Sequence, residues 1–220
     1  MRLNTKLRQC LVGAMVLCVG ATLHASQGSA DDLPDLLDPN TDTPGLRVGE
    51  RVPDGISVYD RDGNEVSLNE EFSGGLTVVM FYRGGWCPYC TKALAKWGRE
   101  LGRFEERDVQ VIAISPETGE HLLETKTKQK VGFDVFVDKT TEAMRHFRVG
   151  FQVEDSYVSM LRNRLKVELG DWNASGETIL PAPATFLIDE QGVVQWVHAS
   201  WDYKKRADPD DILAVIREFE

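Results

Sequence analysis

Cysteine is scarce in this chain: four among 220 residues, at Cys10, Cys18, Cys87 and Cys90. So few exclude a scaffold held together by many disulfides. The one close pair also lacks the second pair that a four-ligand structural zinc site needs. Positive charge is short too, with 25 Lys and Arg against 35 Asp and Glu, a net charge of −10. That balance argues against a nucleic-acid binder and against docking on anionic lipid, since both need clustered cations. A membrane-spanning run is missing as well: the uncharged stretch from Cys10 to Leu23 falls short of the roughly 20 apolar residues that cross a bilayer. Hydrophobic residues nonetheless make up 42% of the chain, enough for one domain with a true core.

The first 30 residues have their own pattern. Arg2, Lys6 and Arg8 precede the apolar run, and small residues follow it, ending in Ala25 or Ala30. This is the layout of a secretory signal peptide. It predicts a periplasmic or secreted protein with no membrane contact once residues 1–30 are removed. Cleavage would also remove Cys10 and Cys18, leaving Cys87 and Cys90 to pair with each other in an oxidising compartment. The Asp-, Pro- and Thr-rich segment 31–45 reads as a flexible acidic linker, and residues 46–220 as the folded domain.

Within that domain, Ile56 to Tyr59 and Val66 to Leu68 flank an Asp-Gly turn and read as a hairpin. The β-branched runs 77–82 and 109–114 read as strands buried on both faces. Leu94, Trp97, Leu101 and Phe104 recur three and four residues apart, which places them on one helix face. A polar helix is expected over 117–128, a strand over 133–137 and a short helix over 141–147. Segment 151–180 reads as an insertion, with Val158, Leu161, Leu165 and Leu169 on a helix that Gly170 ends. A hairpin over 185–197 and a helix opened by Asp208-Pro209 close the domain, the helix burying Ile212, Val215, Ile216 and Phe219. The fold class is α/β: a central mixed sheet with helices on both sides.

The chemistry lies in Trp86-Cys87-Pro88-Tyr89-Cys90, where a buried strand gives way to a helix. A helix N-terminus offers unpaired N–H groups and the positive end of a dipole, and thiols there fall to pKa values of roughly 3.5–7.5. Cys87 comes first and is expected to be the more exposed and the attacking sulfur; Cys90, one turn on, resolves the mixed disulfide. Pro88 suits the first helical position, and Trp86 would shield one side of the sulfur. A structural disulfide closing so short a loop adds little stability. A metal site would need a histidine near the thiols, and His121, His146 and His198 are scattered.

Two segments resemble a known family: Phe81 to Cys90 and Pro181 to Asp189 look like the redoxin branch of the thioredoxin superfamily, closest to the peroxiredoxin-like AhpC/TSA proteins. The resemblance implies a thioredoxin-like fold, disulfide exchange at a redox-active Cys87–Cys90 pair, and no cofactor or metal. It matches Pro183 to the family's cis-proline beside the disulfide, so that the Ala182 backbone would pair with an extended substrate. It also has gaps. Peroxiredoxins carry a Thr where this chain has Gly84 and an Arg where it has Pro183, leaving Arg83 as a replacement charge. The buried acid of thioredoxins is replaced by Phe81. The expected function is a thiol–disulfide oxidoreductase acting on protein or small-molecule disulfides and recharged by a reducing partner protein. The alternatives are a thiol peroxidase acting on hydroperoxides, with Cys87 peroxidatic and Cys90 resolving, and a thiol-based metal- or partner-binding protein.

Overall fold

The computed structural model of the chain describes residues 33–218. The segment read as a signal peptide, with Cys10 and Cys18, lies outside them. Among the described residues no helix is long and apolar enough to cross a membrane.

The strand that leads to the cysteines is β3 (Thr77–Phe81), an interior strand numbered in chain order after the hairpin strands β1 (Ser57–Tyr59) and β2 (Glu65–Ser67) and buried at every position. It pairs in parallel with β4 (Gln110–Ser115) and antiparallel with β8 (Ala184–Ile188). Beyond β4 come β5 (Asp134–Val137) and the β1–β2 hairpin; beyond β8 lies β9 (Val194–Ala199), which makes one seven-stranded mixed sheet. Alternation along β3 divides the core. Val78 and Met80 face α2 (Pro88–Glu105), α3 (Gly119–Gln129) and α7 (Pro209–Ile216). Val79 and Phe81 face α1 (Leu68–Phe72) and α4 (Glu142–His146). Helices α2 and α7 both open with Pro in the first turn, where no N–H is lost.

Segment 151–180 builds a small annex. Strands β6 (Gly150–Gln152) and β7 (Ile179–Pro181) form a separate two-stranded sheet. Between them run α5 (Asp155–Met160), a π-helical turn (Leu161–Leu165) and α6 (Leu169–Trp172) around a separate apolar cluster of Val153, Leu161, Val167, Leu169 and Leu180. The expected single helix is therefore broken. Lys166, in the left-handed region at φ 57°, ends it, and Gly170 lies inside the next helix.

Other boundaries also move. Glu117 is not helical: Thr118 caps α3 by accepting the His121 N–H. Leu213 joins Ile212 and Ile216 as a buried position of α7, Val215 packs half-buried against the same cluster, and Phe219 lies outside the described residues. The stretch 33–45, expected to be a free linker, is held down. Leu37 N–H donates to Gly150 O (2.9 Å), Arg145 Nη1 to Pro34 O (2.9 Å) and Gly45 N–H to Arg148 O (2.7 Å). Backbone groups and Leu36, packed on the core, do this work, and neither shows in composition.

Phe186 on β8 is fully buried and meets Phe147 (5.1 Å) and Phe81 (6.1 Å) edge-on. Phe186→Ala is expected to cost about 3–5 kcal/mol in urea denaturation, with the denaturant slope unchanged.

Candidate active site

β3 runs out at Phe81 and delivers Tyr82, Arg83 and two glycines to the start of α2. Both glycines are required by their surroundings. Gly84 has φ +140°, and a Cβ there would meet Trp86 Nε1 at 2.4 Å; a Cβ on Gly85 would meet Thr125 Oγ1 at 1.9 Å. The missing peroxiredoxin Thr therefore has a local cause: the Trp86 indole lies where its side chain would be. Cys87 is the cap residue of α2, with extended dihedrals (φ −91°, ψ 113°), and its carbonyl accepts the Cys90 and Thr91 N–H groups.

Beneath this turn sits Glu117, fully buried. Its Oε1 accepts from Gly85 N–H (2.7 Å) and Thr125 Oγ1 (3.0 Å), and its Oε2 from Tyr82 OH (2.7 Å) and Ser115 Oγ (3.3 Å). Sequence reading gave this residue no role. Its partners on the cysteine segment lie more than 30 positions away, a distance no motif spans. With Phe81 apolar and packed on Phe147, Glu117 is the acid buried next to the site.

Each cysteine has an arginine of its own. Arg83 Nη2 donates to Cys87 Sγ at 3.2 Å, and Arg206 Nη2 donates to Cys90 Sγ at 3.3 Å. Arg83 also donates to Tyr157 OH (2.9 Å) and lies 4.3 Å from the Tyr203 ring and 5.2 Å from the Trp86 ring. The two thiols are driven apart. A hydrogen bond from Cys90 and the charge and hydrogen bond of Arg83 lower Cys87 to about 5, against the opposing effect of burial. Burial and the adjacent Cys87 push Cys90 well above the usual thiol range. At neutral pH the site holds one thiolate and one thiol, hydrogen-bonded and not joined by a disulfide.

Cys87 is the more exposed of the pair only marginally, as both sulfurs are buried: Cys87 is 1% exposed and Cys90 0%. A cavity of about 250 Å³ nearby is lined by Arg83, Pro183, Ala182, Tyr157, Trp201 and Tyr203. Arg83 reaches both that cavity and the sulfur; Cys87 itself is not part of the lining. Of the predicted substrate contacts, Pro183 and Ala182 are here. The Ala182 N–H, however, donates to Val149 O (2.7 Å), so this donor is not open to a substrate strand. Trp86 does not line that cavity; it lies in a groove with Thr125 and Trp172 and packs against the core cluster that holds both cysteines. Tyr157 comes from the annex, so the insertion does reach the site.

Iodoacetamide alkylation of the reduced protein should depend on pH through the Cys87 thiolate. The rate is expected to be flat near neutrality and to fall as pH drops through about 5. Arg83→Met should move that midpoint up by about one unit or more, since a unit is only about 1.4 kcal/mol of charge stabilisation. An unmoved midpoint would remove Arg83 from this role.

Comparison with known proteins fits this geometry. The AhpC/TSA family pattern matches residues 48–197. A Mycobacterium tuberculosis protein named "Putative peroxiredoxin" is 32% identical over 104 residues, covering 47% of this chain and 65% of the relative. The thiol-disulfide oxidoreductase ResA of Bacillus cereus is 23% identical over 150 residues, 68% of each chain. The match thus spans a little under two thirds of the Mycobacterium relative's length. Among solved structures, the peroxidoxin BcpB of Mycobacterium tuberculosis superposes with a TM-score of 0.63 at 20% identity, over 80% of this chain and 99% of that one. With its thioredoxin-like sheet and a matched segment that spans the cysteine turn, the chain belongs to the AhpC/TSA family.

Proposed function

We propose that this protein is a thiol-based oxidoreductase that cycles between a Cys87/Cys90 dithiol and an internal disulfide. The observation that carries the reading is the unequal pair: a Cys87 sulfur held by Arg83 at 3.2 Å, with a protonated Cys90 one turn away. In exchange with a disulfide, the Cys87 thiolate attacks one sulfur, forms a mixed disulfide and expels the other as a thiolate. Cys90 then loses its proton, attacks Cys87 Sγ and expels the second thiolate. Arg206, on Cys90 Sγ, favours the charge that Cys90 takes on in that step. A reducing dithiol partner reverses the internal disulfide.

A hydroperoxide is the second oxidant with support of its own. Arg83 spans the sulfur and the cavity, and so offers near Cys87 the cation that peroxiredoxins carry where this chain has Pro183. Here Cys87 takes one peroxide oxygen as a sulfenic acid and releases an alcohol or water, and Cys90 displaces water to close the disulfide.

The decisive experiment mixes the reduced chain from residue 31 with hydrogen peroxide or with a disulfide substrate and follows both thiols. Cys87→Ser is expected to abolish turnover with either, and Cys90→Ser to stop after the first step, at a trapped sulfenic acid or mixed disulfide. Turnover retained in Cys87→Ser would sink the reading. Peroxide oxidation much faster than that of free cysteine would make peroxide the oxidant; oxidation at the free-cysteine rate, with fast disulfide exchange, would leave exchange alone.

We also infer export, on the strength of Arg2, Lys6 and Arg8 followed by the apolar run. Mass spectrometry of the protein from its natural host should find a chain starting near Ser26 or Asp31. A chain still starting at Met1 would overturn this.

A further inference from the structure

The chain is acidic overall, yet one groove beside the cysteines is not. Tyr89, Lys92, Lys96 and Arg99 follow one another at three and four residues along α2 and so share a helix face. The segment between β9 and α7 sets Lys204 and Arg206 against them, and together they line an open groove of about 340 Å³. The single carboxylate in that lining is Asp208, which is paired with Lys96. Lys92 and Arg99 are exposed, and among the described residues neither has a carboxylate at ion-pair distance.

The stripe has a direction. It starts at Tyr89, which lies between the two cysteines, is 42% exposed and meets Tyr203 edge-on at 5.6 Å. It ends at Arg99, about 15 Å along the helix at 1.5 Å per residue. At its inner end Arg206 lines the groove and also bonds Cys90 Sγ. An exposed aromatic beside the reacting sulfurs, with a run of cations leading away, has the make-up of a docking site: an anchor to bury and charges to steer.

We propose that this groove docks the acidic face of the protein that reduces the Cys87–Cys90 disulfide. The inference rests on the dithiol cycle of the preceding subsection. Charge complementarity selects the occupant. A net charge of −10 repels the extended phosphate surface of a nucleic acid or an anionic bilayer. A groove of this length, by contrast, matches a few carboxylates beside one reactive thiol. Tyr89 fixes where that thiol arrives, and Lys92, Lys96, Arg99 and Lys204 favour partners that carry acids around it.

The test uses two synthetic dithiol peptides with the same Cys-Gly-Pro-Cys centre, one flanked by Asp and Glu and the other by Lys, with neutral dithiothreitol as control. The oxidised protein is mixed with each, and loss of the disulfide is timed. The whole-chain charge by itself dictates that the basic peptide reacts faster. The groove dictates the opposite: the acidic peptide faster by about tenfold at low ionic strength, with the preference gone at about 1 M salt. The double variant Lys92→Glu with Arg99→Glu should lose or invert the preference while keeping the dithiothreitol rate, which also shows that it is folded. Equal rates, a faster basic peptide, or a preference that survives the double variant would overturn the proposal. Failure of dithiothreitol to regenerate the two thiols would instead strike at the dithiol cycle itself, and the docking proposal would fall with it.

Discussion

The carboxylate of Glu117 sits at the crossing of everything that shapes the redox turn. A polar side chain taken out of water is costly unless hydrogen bonds replace its hydration. Here four donors do so, from the end of β3, the glycine turn, the end of β4 and helix α3. The same bonds that satisfy the acid fix the backbone of Gly85, two residues before Cys87. The start of α2, and with it the placement of both sulfurs, follows from that anchor. Thr125 packs so closely on Gly85 that a Cβ there would lie 1.9 Å from its Oγ1.

On this rigid base the electrostatics are divided by position. Cys87, at the helix cap and beside Arg83, carries the negative charge; Cys90, one turn deeper, keeps its proton. A thiolate favoured in the folded state also binds folding to pH. Its contribution to the reduced protein is complete above the ordinary thiol pKa of about 8.5 and is lost as pH falls through about 5. It favours the reduced form over the disulfide as well, because only the reduced form holds that charge. Burial adds selectivity: reagents meet Arg83 and the aromatic cavity before they meet sulfur.

Local signals made much of this legible. The runs at 77–82 and 109–114 are β-branched and apolar, and they are β3 and β4. Leu94, Trp97 and Phe104 do line the buried face of α2, and Cys87-Pro88 does mark its start. What failed to show depends on contacts between distant segments. Glu117 looked like the first residue of a polar helix, because its donors are remote in sequence. Nothing local to Arg206 says that the fold sets it on Cys90. Gly170 looked like a stop, yet Lys166 adopts the left-handed turn instead, once the π-helical turn has shifted the register. The depth of Cys87 did not show either, since nothing in the sequence says that Arg83 folds back on it.

Gly84 and Trp86 form a pair that must be read jointly. The indole occupies the volume in which a side chain at position 84 would lie, and the backbone there has φ +140°. A Thr arising at position 84 while the indole is in place would meet a clash and a strained backbone together. A hydroxyl can settle at that position only if the indole moves and the turn relaxes. A side chain at position 84 and this indole at position 86 thus exclude each other while the turn keeps its present shape.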